Sequence, residues 1–76
     1  GTLHVELVTP EKRVYANEAH LVEAPGAEGD FGILPNHSPL VSLLRPGMVT
    51  IHHDQGSEKL FVTGGLAQVD QTSCTI

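Results

Sequence analysis

Basic residues are scarce in this chain of 76 residues: four lysines and arginines stand against nine aspartates and glutamates, a formal charge of −5. A surface so balanced repels phosphate backbones and anionic headgroups, which argues against nucleic acid and bilayer surfaces as partners. Cysteine is almost missing. The one cysteine, Cys74, cannot close an internal disulfide or pair with a second thiol around zinc, and the expected setting is reducing and intracellular. No apolar run approaches the roughly 20 residues that cross a bilayer, and Gly1-Thr2-Leu3-His4 lacks the basic and apolar segments of a secretory signal. Also lacking is the helical period. Apolar residues at i, i+3, i+4 and i+7 occur in no window of helical length without an intervening Gly or Pro, which excludes a long helix.

What the sequence does contain is alternation. Leu3-Val5-Leu7 alternate with His4-Glu6, the period of two that turns one strand face inward and leaves the other wet. Thr9-Pro10-Glu11-Lys12 reads as a turn before Arg13-Val14-Tyr15 resumes extended character, and Ala19 to Ala24 is a further apolar run stopped by Pro25-Gly26. Leu40 to Leu44 and Met48 to His53 flank Arg45-Pro46-Gly47, which ends one strand and restarts the chain at an angle. Asp54-Gln55-Gly56-Ser57 predicts a four-residue hairpin loop leading to Leu60-x-Val62. Leu66 to Val69 and Ser73 to Ile76 follow, with Asp70-Gln71-Thr72 as the turn between them. So many short strands do not make one open sheet, and the pattern predicts an all-β, two-sheet antiparallel β-sandwich as a single domain over residues 1–76.

No reactive constellation emerges from the chemistry-bearing residues. The histidines, His4, His20, His37, His52 and His53, have no metal-ligand spacing, and His52 and His53 are strand neighbours on opposite faces, expected at the surface beside the hairpin. Ser38 follows His37, but Pro39 comes next and no nucleophile-elbow pattern surrounds the serine. Gly26-x-x-Gly29-x-x-Gly32 spaces its glycines like a phosphate loop, yet Glu28 and Asp30 would repel the anion and Pro35 blocks a following helix. Neither a catalytic residue, a metal site nor a cofactor is expected. The stretch from Pro25 to Pro39 holds three glycines and three prolines around Phe31, Ile33 and Leu34. Such a segment takes a defined, irregular shape, either as a presenting loop or as a crossover with Phe31 and Ile33 in the core.

The segment Gly26-x-x-Gly29-Asp30-Phe31-Gly32-Ile33-Leu34-Pro35-Asn36-His37-Ser38-Pro39-Leu40 resembles the epsilon subunit family of the rotary F-type ATP synthase, whose mitochondrial counterpart is called delta. Leu7-Val8-Thr9-Pro10-Glu11, Leu44-Arg45-Pro46-Gly47 and Val62-x-Gly64-Gly65-x-Ala67-x-Val69 extend the resemblance along the chain, with Gln68 where many relatives carry Glu. The resemblance implies a β-sandwich of about ten strands. It also implies a non-catalytic part of the central stalk that grips the gamma subunit, rests on the ring of c subunits and couples proton translocation to ATP synthesis. Such a protein is peripheral, on the cytoplasmic face of a bacterial inner membrane or the matrix face of a mitochondrial one, without inserting into the bilayer.

Site residues follow from the same resemblance. Glu28, Gly29, Asp30, Phe31 and His37 are the implied contacts with the c ring, where Glu28 and Asp30 would meet arginines of its polar loops. Thr9, Leu40, Ser42 and Leu43 are the implied gamma contacts, with Leu44 as a further apolar neighbour. The family continues into two regulatory helices, so a helical hairpin is expected to be absent from residues 1–76. A different function class, a small-molecule-binding β-domain using the histidines and the Gly-rich loop as a pocket, is the alternative.

Overall fold

The computed structural model describes residues 2–8, 13–36 and 38–76, and side-chain placement within the first two strands is described only for 3–7 and 16–19. Alternation decides the first strand: Leu3, Val5 and Leu7 of β1 (Leu3–Val8) are buried while His4 between them is exposed. The expected turn at Thr9–Lys12 lies outside the described residues, and the chain returns as β2 (Arg13–Ala19), antiparallel to β1.

The apolar run from Ala19 to Ala24 is not one strand, as its composition predicts, but the corner between two sheets. Ala19 ends β2 in one sheet, and β3 (Leu21–Ala24) belongs to the other. At the corner the His20 amide donates to the His52 carbonyl at 2.8 Å, so the chain exchanges one set of backbone partners for another without an orphaned amide. A further short strand, β4 (Phe31–Ile33), pairs with β3. The remaining strands are β5 (Leu40–Leu44), β6 (Gly47–His53), β7 (Gly56–Val62), β8 (Gly65–Val69) and β9 (Ser73–Thr75).

Five strands in the order β2-β1-β9-β8-β5 face four in the order β4-β3-β6-β7, and no described residue is helical. This is the all-β sandwich that the alternation implies, with nine strands among the described residues. It departs from the antiparallel expectation at one place. The last strand, β9, lies parallel to β1, with Val5 beside Cys74, while pairing antiparallel with β8.

The β6–β7 hairpin also differs in its turn. Pairing continues to His53 opposite Gly56, leaving Asp54-Gln55 as a two-residue connection where four residues are expected. Gly56 has φ 132°, a value that a side chain would resist, and this lets the strand resume sooner than the polar run suggests.

The core is a contribution from both inner faces. Leu3, Val5, Leu7, Ala67, Val69 and Cys74 of the five-stranded sheet meet Val22, Ala24, Ile33, Val49, Ile51 and Val62 of the other. Each fully buried Val, Leu or Ile stabilises the fold by about 1.5–3 kcal/mol relative to exposure, and among the described residues no polar or charged residue is buried to offset that gain. The core thus fixes the two sheets face to face and leaves the rim and the outer faces as the accessible surface.

Candidate partner-binding surface

The rim between β3 and β4 is a tight loop, built by glycine where a side chain has no room. A Cβ placed on Gly26 would stand 2.4 Å from the Gly29 carbonyl and 2.8 Å from a ring carbon of Phe31, so the loop closes over Gly26 with Phe31 as its inner wall. The Gly29 amide donates back to the Gly26 carbonyl at 3.1 Å, and Gly29 itself has φ 140°. Glu28 lies at the exposed tip, and Asp30 is exposed as well.

This loop is fastened to the neighbouring sheet. The Ala27 amide donates to the Leu43 carbonyl and the Arg45 amide to the Pro25 carbonyl, both at 2.9 Å, and Gly26 forms a bridge with Leu44. From the side-chain direction, the Arg45 guanidinium donates to the Gly26 carbonyl and to the Asp30 carboxylate. Charged fork, carboxylate and carbonyl together make a charge-assisted grip across the base of the loop.

Strand β5, to which the loop is fastened, ends the five-stranded sheet and pairs with β8. Its alternation is inverted relative to an ordinary wet face: Leu40 and Ser42 are half-buried and Leu44 is in the core, while Val41 and Leu43 are each 66% exposed. Leu43 sits directly opposite Leu66, itself exposed, so the outer face carries a cross-strand apolar pair in water. Residues 26–29 and 40–43 line one groove of about 430 Å³ between the loop and the strand. An acidic tip beside a bare apolar strip is suited to gripping another protein, because the apolar part supplies burial and the charge supplies direction.

Over residues 2–76 the sequence matches the model of the ATP synthase delta/epsilon chain β-sandwich domain. The chain belongs to that family. It is 46% identical over 97% of its length to the ATP synthase epsilon chain of Maricaulis maris, and 47% identical over its whole length to that of Afipia carboxidovorans. In each case it spans 56% of the relative's length. Among solved structures, the fold superposes on a chain of the Euglena gracilis mitochondrial ATP synthase assembly of OSCP, F1 and c-ring, with a TM-score of 0.91 at 20% identity, covering 99% of this chain and 49% of that one. A chain of the Tetrahymena thermophila mitochondrial ATP synthase central stalk and c-ring gives 0.77 at 22% identity, with 99% of this chain and 61% of that one covered.

Within this family fold, the residues implied by the resemblance fall on two adjoining elements. Glu28, Gly29 and Asp30 share the loop, with Phe31 half-buried behind it against the core, and Leu40, Ser42 and Leu43 lie on β5. Phe31 and Ile33 therefore do face inward, while the loop before them is presented outward. Thr9 and His37 lie outside the described residues. Leu44 is buried in the core.

The strip contains two residues that the sequence reading missed. Val41 could have been found from strand parity, since it shares a face with Leu43; Leu66 needed the β5–β8 register.

Each described histidine lies beside a carboxylate. His4 reaches Glu18 at 2.9 Å, His52 reaches Glu23 at 2.6 Å, His53 lies 3.2 Å from Glu58, and His20 meets Asp54. His53 is not the exposed residue expected from its place beside the hairpin, for its side chain is only 16% exposed at the C-terminal end of β6. A hydroxyl hydrogen bond from Thr2, then the His4 ring, holds the Glu18 carboxyl below its usual range; His20 does the same for Asp54. Among the described residues no three His, Cys, Asp or Glu side chains gather as a metal site would require.

Proposed function

We propose that this chain is a rotor part of an F-type ATP synthase, gripping the gamma subunit through the β5 strip and meeting the c ring through the 26–30 loop. The observation that carries the reading is the continuity of the groove, in which the acidic loop tip and the apolar strand form one surface on a packed sandwich. Torque transfer demands a part that does not shear, and a close-packed core of interlocking side chains meets that demand without any moving element. The fold neighbours belong to assemblies of F1 with a c-ring and of central stalk with a c-ring, a setting in keeping with this reading. The part is then non-catalytic and peripheral to the membrane, on the side where the catalytic head stands, and no described helix is long and apolar enough to span a bilayer.

Coupling tests the reading. In membrane vesicles carrying the assembled enzyme, Glu28→Arg replaces an attractive contact with a like-charge clash against the arginine-bearing ring loops implied by the resemblance, a change worth several kcal/mol when desolvated. ATP-driven proton pumping should fall while ATP hydrolysis by the detached head is unchanged. Unaltered pumping with Glu28→Arg would remove the ring contact from the proposal.

A further inference from the structure

The 26–30 loop carries two acids, and the structure does not treat them alike. Asp30 is already engaged by the Arg45 guanidinium, which holds the Gly26 carbonyl with its other nitrogen. Glu28, two residues earlier at the exposed tip, has no ion-pair or hydrogen-bond partner among the described residues. We propose that Arg45 is a positioning residue that locks the loop in its presenting shape, with Asp30 as its internal counter-charge, so that Glu28 alone is the acid offered to a partner subunit. This rests on the reading that the loop faces a partner.

Geometry gives the lock its strength. Arg45 follows β5 directly, and its own amide is tied to the Pro25 carbonyl at 2.9 Å, so the base of the side chain is fixed before the guanidinium reaches across. Its planar fork spans a carbonyl at the loop's start and a carboxylate at the loop's end, a pair of acceptors that one ammonium group cannot serve in the same way. An intermolecular cation would have to displace a group tethered in place, against a high effective concentration. The pair is nevertheless accessible, with Arg45 46% and Asp30 73% exposed, so it contributes little to global stability and acts on the loop locally.

Amide hydrogen exchange on the full-length protein, read together with proton pumping by the assembled enzyme, separates the roles. Arg45→Met and Asp30→Asn should each speed exchange at Ala27 and Gly29 by about tenfold with little change in melting temperature, and Arg45→Lys should recover only part of the protection. Glu28→Gln should leave exchange at the wild-type level and lower pumping. Unchanged exchange in Arg45→Met would overturn the lock, as would an Asp30→Asn variant that loses pumping with its loop still protected, since Asp30 would then be binding the partner. Faster exchange in Arg45→Met and Asp30→Asn with full pumping in every variant would leave the lock standing and refute the ring contact. Asp30→Asn leaves β5 untouched, so the test survives even if Arg45→Met fails to fold.

Discussion

Asp70 shows what one exposed carboxylate does for a turn. Its Oδ1 accepts from the Ser73 and Thr72 amides at 2.8 and 2.9 Å and from the Ser73 and Thr72 hydroxyls at 3.1 and 3.3 Å, organising the connection from β8 to β9. Those donors, the Thr72 amide first, depress its carboxyl below the ordinary aspartate value of 3.8. A carboxyl lowered in the folded state stabilises the fold above its unfolded pKa and loses that contribution as pH falls through the folded one. Acid unfolding of Asp70→Asn should therefore be less steep below pH ~4 than that of the wild type, with a lower midpoint at neutral pH. Urea melts at several pH values would check this. Cys74 behaves oppositely, for burial pushes its thiol up to about 11. It should resist thiol reagents in the folded protein at pH 8 and react at the rate of a free thiol in denaturant. Ile51, fully buried, should cost about 2–5 kcal/mol as alanine, measured by urea unfolding.

At the scale of elements, the loop from Pro25 to Asp30 is the piece most exposed to a single methyl group. Gly26→Ala puts a carbon against both the Gly29 carbonyl and Phe31, so backbone or ring must move; about 1–3 kcal/mol of destabilisation and faster exchange at Ala27 and Gly29 are expected, with β1 amides unaffected. The strands themselves were largely legible, because β1, β6 and β7 declare their faces by alternation and local turns bound them. Three features were not. An apolar run such as Ala19–Ala24 reads the same whether it continues one strand or turns a corner, and only the His20 hydrogen bond to β6 distinguishes the two. The parallel contact of β9 with β1 joins the two ends of the sequence and has no local signature. Arg45, read as part of a strand-ending turn, reveals its grip only when β5 and the loop are side by side. The candidate surface was therefore half visible: Glu28 to Phe31, Leu40, Ser42 and Leu43 came from family resemblance, while Val41 and Leu66 of its apolar strip needed parity and register.

The molecule measures 28 × 24 × 19 Å, and among the described residues its core is apolar and no acid is buried. Stiffness and adhesion are thus assigned to different layers, the core to the first and the β5 strip with its loop to the second. A second exposed apolar pair, Met48 opposite Phe61, lies on the outer face of the other sheet and lines none of the groove between the loop and β5. That separation makes the most direct measurement possible: affinity of the full-length protein for isolated gamma subunit, by calorimetry, for the wild type, Leu43→Glu and Phe61→Ser. Leu43→Glu places a charge in the middle of the strip without touching the core, and should weaken binding by about thirtyfold or more, as loss of a central apolar anchor does, while Phe61→Ser binds as the wild type. Wild-type affinity in Leu43→Glu would contradict the account.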